Sequence, residues 1–278
     1  MFENRVALIT GGSAGIGLAV ARKWVAAGGL AALAARTRAT LDEAVAALGG
    51  ATKAAAFALD VGDLAALEKL PAQVVSRFGR LDAVINNAGT HHRGPLIERT
   101  PAELAEMVST NLAAPMILTW AAVPVLETGG VIVNVASLAG MVPVRNAAAY
   151  SATKAGLRAF AVAVGEELRP RGIRVATVSP GPVDTNFFGD LSKVADIVFS
   201  QPMSTPEQVA DAVLECLCKD RREVAMPWLS GKLATLGYLA PSLSRALQPM
   251  LARLGAKKKR AYAQRKAGPI APPRNPRA

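Results

Sequence analysis

The 278-residue chain is half hydrophobic (51%), poor in aromatic residues (5%) and carries a formal net charge of +11. That length suits one large α/β domain, and the composition excludes an intrinsically disordered chain. Two histidines and two cysteines do not supply four ligands at zinc-site spacing, so no metal is expected, and no apolar run reaches the ~18 residues of a spanning helix.

The first strand candidate is "RVALIT", a β-branched run that ends in a glycine turn, followed by "GIGLAVARKWVAAG" with helical periodicity. "LAALAA" reads as a second buried strand, "TLDEAVAALG" as a short helix, "AAAFALD" as a third strand and "DLAALEKLPAQVVSRFG" as a helix. "LDAVINNAG" is a strand running into a turn, and residues 101–127 are mostly helical with proline interruptions. "GVIVNVAS" is a strong strand, "AAAYSATKAGLRAFAVAVGEELRP" a long helix and "GIRVATVSPG" a strand. A helix then opens at Thr205 with a capping signal, and "REVAMP" closes the series as a short strand. This alternation predicts βαβ units, a buried parallel sheet and right-handed crossovers with helices on both faces.

The positive charge is concentrated at the end of the chain. From Arg253 onward there are nine cations (Arg253, Lys257, Lys258, Lys259, Arg260, Arg265, Lys266, Arg274, Arg277) and no acid, and setting them aside lowers the net charge from +11 to +2. A near-neutral body with a basic tail gives no expectation of specific nucleic-acid binding. Residues 1–227 are expected to form the folded domain, 228–255 an amphipathic extension and 256–278 a disordered basic tail. In the extension, Leu229, Leu233, Leu236, Leu243, Leu247, Met250 and Leu254 recur at helical steps, with Pro241 and Pro249 expected to break it. An apolar face beside a polybasic run suits peripheral contact with an anionic membrane, against the alternative of a helix packed on the body. The N-terminus lacks the features of a signal peptide, and Cys216 and Cys218 are expected to be reduced thiols of a cytoplasmic protein.

Chemistry concentrates at two places. "TGGSAGIG" (residues 10–17) joins the first strand to the first helix, so small residues bring backbone N–H groups and a helix N-terminus toward a ligand such as a pyrophosphate. After the second strand, where an acid would favour an adenosine ribose, stands Arg36, suited to a 2′-phosphate, with Arg38 as a helper. This favours NADP, with NAD as the alternative. Further on, "YSATK" puts Tyr150 and Lys154 one helical turn apart on one face.

Taken together, "TGGSAGIG", "NNAG" (residues 86–89), Asn111, Ser137, "YSATK" and "PG" (Pro180, Gly181) followed by Thr185 resemble the short-chain dehydrogenase/reductase family in order and spacing. The resemblance covers residues 2–227. It implies a Rossmann-like doubly wound domain with a seven-stranded parallel sheet of order 3-2-1-4-5-6-7. It implies that Thr10, Gly11, Ser13, Gly15, Ile16 and Gly17 form the phosphate loop, and that Asp60 and Val61 border the adenine. Asn87, Ala88 and Gly89 would line the cofactor, and Pro180, Gly181, Val183 and Thr185 would hold the nicotinamide. Tyr150 would be the acid/base, its pKa lowered by Lys154, which also holds the nicotinamide ribose. Ser137 would bind the substrate oxygen, and Asn111 would hold a water leading to Lys154.

The expected activity is NADP-dependent hydride transfer between nicotinamide and a small-molecule carbonyl/alcohol pair, by a homodimer or homotetramer. The apolar residues Phe187, Phe188, Ile197, Val198 and Phe199 predict a lid over a lipophilic substrate, or ordinary packing of two short helices. A 3-oxoacyl-thioester reductase is the alternative within the family. From a different class comes a non-catalytic cofactor-binding protein whose tail binds membrane. A serine hydrolase centred on Ser137 is disfavoured, because "NVASLAG" is not G-x-S-x-G.

Overall fold

Apolar runs too short for helices become the strands of a buried sheet. In the computed structural model, which describes residues 2–267, these are β1 (Val6–Thr10), β2 (Leu30–Ala35), β3 (Ala54–Ala58), β4 (Ala83–Asn86), β5 (Val131–Val135), β6 (Arg174–Pro180) and β7 (Glu223–Met226). Among the described residues they pair in parallel in the order β3-β2-β1-β4-β5-β6-β7, as expected. β1, β4 and β5 are buried along their whole length. Two core layers flank the sheet. One contains Ile9, Leu33, Val133 and Val213, and the other Leu8, Leu70, Val84 and Ile132, so neighbouring residues of β1 feed opposite faces.

The sheet reverses its winding between β1 and β4, which opens a crevice at the carboxyl ends of the strands. Helices α1 (Gly15–Ala26), α2 (Arg38–Ala47) and α3 (Leu64–Phe78) carry the first crossovers. Residues 101–122 form α4 (Pro101–Val108), a π-helical turn over Ser109–Ala113 and α5 (Ala114–Ala122). The long helix α6 (Ala148–Leu168) carries Tyr150 and Lys154, and α7 (Pro206–Cys218) starts at a Thr205–Gln208 capping box.

The end of the chain differs from the expectation. Helix α8 (Trp228–Leu239) stops before Pro241, but α9 (Pro241–Ala267) runs through Pro249 and onward past residue 256. The stretch 256–267, expected to be disordered, is therefore helical, and the remainder of the tail, with Arg274 and Arg277, lies outside the described residues. The side chain of Leu243 lies outside them too. Packing explains the order. Tyr262 is buried against Phe188 and Phe199, and Lys259 bonds the Val194 carbonyl and the Asp196 carboxylate at 2.6 and 2.9 Å. A side chain at Gly255 would fall on the Asp196 carbonyl, so only glycine lets this helix approach so closely. Three of the α9 cations thus find partners earlier in the chain: Lys258 bonds the Ser200 carbonyl, Lys259 bonds Val194 and Asp196, and Lys266 pairs with Asp184.

Candidate active site

The crevice is a continuous cleft of about 1350 Å³, larger than the usual ~300–1,000 Å³ of a small-molecule pocket. One wall is the glycine loop. Gly11 and Gly15 take left-handed backbone conformations (φ 64° and 53°) that close the turn between β1 and α1. Ala14, the residue before α1, offers no side-chain cap, and the first turn holds no acid. The bare N–H groups of a 12-residue helix thus face the cleft together with Gly11, Ser13, Gly15 and Ile16.

Thr10 and Gly17, counted with these from the sequence, do not line the cleft. The Thr10 hydroxyl donates to the Ile85 carbonyl (3.3 Å) and accepts from the N–H groups of Asn87 and Ala88 (3.0 and 3.1 Å), stapling β1 to the end of β4. At Gly17 a Cβ would strike the Gly11 carbonyl, so that glycine serves helix–loop packing. Asp60, Val61, Asn87, Ala88 and Gly89 continue the wall, and Asp60 accepts from the Gly62 N–H at 2.9 Å. The two arginines after β2 separate. Arg38 is tied to Asp42 at 2.9 Å, while Arg36 lines the cleft and makes no ion pair among the described residues. Arg38 is therefore engaged elsewhere.

At the other end, β5 delivers Ser137 and α6 delivers Tyr150 and Lys154. The Ser137 hydroxyl oxygen accepts from the Ala139 N–H at 3.1 Å, and the hydroxyl is near enough to Tyr150 to favour its ionised form. Lys154 is buried, and its ammonium donates to the Val135 carbonyl at 2.8 Å. Loss of hydration lowers its pKa to about 8.

The expected lowering of the Tyr150 pKa is not what this geometry produces. Burial raises it, and Ser137 and the field of Arg93 offset only part of that. The Lys154 ammonium is 5.9 Å from the Tyr150 ring centre and directs one of its three N–H groups to the strand carbonyl. Asn111 is held by its own side-chain bonds. It sits in the π-helical turn, fully buried, and its amide both accepts from and donates to the Thr90 backbone at 2.8 Å, with a further bond to Thr153 at 3.3 Å. It braces the loop after β4 against α6. Gly89 lies between the two groups: a Cβ there would be 3.1 Å from Asn111 Oδ1 and 3.7 Å from Lys154 Nζ.

Pro180, Gly181, Val183 and Thr185 form the wall below the substrate end. The segment that follows is a set of 3-10 turns (Asn186–Phe188, Leu191–Lys193, Asp196–Ser200) whose apolar residues divide. Phe188 and Phe199 stack at 5.5 Å into a small core with Val194 and Tyr262, whereas Phe187 stays exposed beside Tyr150. Residues of this segment line the cleft, and Phe188 and Phe199 pack as one of the two expectations had it. Helix α9 fastens it, because Tyr262 donates to Asp184 at 2.6 Å and Lys266 pairs with the same carboxylate at 3.1 Å.

Three residues of the site were missed from sequence. His91 lies flat on Tyr150, His92 bonds Glu106 at 2.8 Å, and Arg93 reaches between Phe187 and Phe188. The signal available was their position just after "NNAG", at the carboxyl end of a central strand.

A family model described as short chain dehydrogenase matches residues 5–195. A monensin polyketide synthase putative ketoacyl reductase of Streptomyces virginiae is 41% identical over 190 residues, covering 66% of this chain and 72% of that protein. Dehydrogenase/reductase SDR family member 7B of Bos taurus is 31% identical over 277 residues, covering 92% of this chain and 84% of its own. Among solved structures, a short chain dehydrogenase from Burkholderia cenocepacia J2315 in complex with NADP aligns with a TM-score of 0.75 at 29% identity, covering 82% of this chain and 98% of that one.

Proposed function

Since the chain belongs to the short-chain dehydrogenase family of oxidoreductases, we propose that it interconverts a carbonyl compound and its alcohol with NADP as the hydride carrier. The observation that carries this reading is the single cleft joining an uncapped helix N-terminus and Arg36, without an ion pair among the described residues, at one end to Tyr150, Ser137 and Lys154 at the other. The residues present fit the cofactor. Gly11, Ser13, Gly15, Ile16 and the α1 N-terminus would hold the pyrophosphate, and Arg36 the 2′-phosphate. Asp60 and Val61 would border the adenine, with Asn87, Ala88 and Gly89 along its path. Lys154 would hold the nicotinamide ribose, and Pro180, Gly181, Val183 and Thr185 the nicotinamide. When bound, the nicotinamide supplies or accepts the hydride.

The protein's own work is proton transfer and positioning. The Tyr150 hydroxyl gives its proton to the carbonyl oxygen as the alcohol forms, and takes it back in oxidation. Ser137 donates a hydrogen bond to the same oxygen and fixes its distance from Tyr150. Lys154, with a pKa of about 8, is poised to restore the lost proton near neutral pH. Asn111 keeps Lys154 and the Gly89 loop in register.

A panel of ketones, aldehydes and alcohols, offered with NADPH or NADP and read at the nicotinamide absorbance, tests the reading. No turnover of any of them by folded, cofactor-binding protein would refute it.

Two surfaces extend the proposal. The outer face of α5 and α6 exposes Met116, Trp120 and Val162, which supports pairing with a second copy of the chain. Separately, α8 and α9 expose Trp228, Leu229, Leu233, Leu236, Leu239, Leu247 and Met250 beside the cleft mouth, in a stretch from 228 to 267 that carries nine cations and no acid. No helix of the described residues is long and apolar enough to cross a membrane. The exposed face suits instead a helical hairpin lying on an anionic bilayer, where a lipophilic substrate could enter past Leu229 and Leu233.

A further inference from the structure

Arg93 is a charge that the reduction chemistry leaves unused. It stands four residues after Gly89, half-buried on the wall of the cleft. Its guanidinium carbon is 5.7 Å from the ring centres of both Phe187 and Phe188, and it makes a long bond of 3.4 Å to the Phe187 carbonyl. Among the described residues it forms no ion pair, although four acids face the same cleft. Each of them is engaged elsewhere. Glu106 holds His92 at 2.8 Å, and Asp184 holds Tyr262 and Lys266 at 2.6 and 3.1 Å. Asp196 holds Lys259 at 2.9 Å, and Asp60 accepts from the Gly62 N–H at 2.9 Å. A guanidinium partly withdrawn from water, with its planar fork unanswered, is matched by an oxyanion.

A second polar group lies beside it. His91 stacks on Tyr150, and its Nε2 is buried without a hydrogen-bond partner among the described residues. Burial first, then Arg93, keeps this ring neutral, so it offers one N–H and no charge of its own.

Resting on the carbonyl–alcohol reading above, we propose that Arg93, assisted by His91, forms an oxyanion subsite and that the substrate carries a carboxylate or phosphate a few bonds from its reacting carbonyl. The closeness to Tyr150 sets that short spacing. The rest of the substrate would extend over the apolar wall at Val142, Leu229, Leu233 and Leu251. Arg93 is thus a specificity residue and takes no proton.

The test uses the full chain with NADPH and two matched pairs of probes: a 3-oxo carboxylate with its methyl ester, and a phosphorylated hydroxyketone with its phosphate-free parent. The wild-type protein should favour at least one anion over its neutral partner in kcat/KM, and the favoured pair distinguishes carboxylate from phosphate. Arg93→Gln should lower kcat/KM for that anion by roughly 10–100-fold, the loss of a charged hydrogen-bonded partner, mainly through KM. The neutral partner should change by less than about threefold, and Arg93→Lys should restore part of the loss. Equal use of both members of both pairs by the wild type overturns the subsite while leaving the reductase reading intact. So does an equal loss for both members in Arg93→Gln, which would make Arg93 a brace for the Phe187 loop. No turnover of any probe overturns the reductase reading and the subsite together.

Discussion

The His91 imidazole lies on the face of the Tyr150 phenol, ring centres 4.1 Å apart and planes within 8° of parallel. The stack removes one face of the phenol from water, in a site where burial already raises the tyrosine pKa. Burial, with Arg93, His92 and Lys154 adding to it, lowers the His91 pKa to about 3, so the ring stays neutral at all working pH values. The pH profile of turnover should therefore show no histidine-type step between pH 5 and 8 from this residue. A step that disappears in His91→Phe would contradict that.

Tyr150→Phe keeps the ring and its stack and deletes the proton donor. Turnover should fall by roughly 10²–10⁴-fold, while cofactor affinity by calorimetry or fluorescence stays close to wild type. Unchanged turnover would remove Tyr150 from the chemistry.

Lys154 places a catalytic requirement against stability. Its folded pKa of about 8 lies below the 10.5 of a free lysine, so folding must work against the charged form. That penalty, about 3 kcal/mol for a shift of this size, is full below pH 8. It fades as pH rises from 8 toward 10.5, where the unfolded chain loses the same proton. Lys154→Met should therefore abolish turnover yet raise the cofactor-free unfolding midpoint at pH 7, with the gain shrinking by pH 10. A lower midpoint at pH 7 would mean that the bond to the Val135 carbonyl outweighs the burial of charge.

Arg36→Ala should weaken NADP binding by roughly 10–100-fold, the scale of one charged hydrogen-bonded pair, and leave NAD nearly unchanged. Titrations of both cofactors against both proteins decide it, and an equal small change for the two would make Arg36 a solvated surface charge.

Helix α9 makes the substrate-side loop depend on the end of the chain. Tyr262→Phe removes one bond to Asp184, and Gly255→Ala forces the helix off the Asp196 carbonyl. Both should raise KM for the carbonyl substrate, the glycine variant more, and expose the 186–200 segment to proteases. Unaltered KM and proteolysis in both variants would show that the loop holds itself.

The α8–α9 face should bind vesicles containing anionic lipid at low salt, and Leu236→Glu with Leu239→Glu, both exposed and outside the cleft lining, should abolish binding without loss of turnover on a water-soluble substrate. Screening should weaken the attraction as the Debye length falls from ~10 Å at 0.1 M to ~3 Å at 1 M salt. Wild-type protein left in the supernatant under all conditions would end the membrane reading.

By itself the sequence determined the alternation of strands and helices, the strand order through the resemblance, and the positions of Tyr150, Lys154 and Ser137 at one site. The alternation follows from local periodicity, with β1 apolar up to its last residue Thr10, and Tyr150 and Lys154 share one turn of α6; the strand order and the place of Ser137 beside them rest on the resemblance. The tertiary structure decided which polar groups are already occupied. Arg38 and Asp42 stand four apart on α2, a spacing that allows their pairing, but spacing shows neither that Arg36 makes no ion pair among the described residues nor that Lys154 bonds Val135 and Asn111 bonds Thr90. It also decided the fate of the basic tail. Charge repulsion predicts disorder for an isolated segment, but Tyr262 finds Phe188 and Phe199, and Lys259 and Lys266 find acids some 60 to 80 residues earlier in the chain. Hydrogen bonds, ion pairs and desolvation depend on distance in space, and a linear pattern carries that only where the partners lie on the same element.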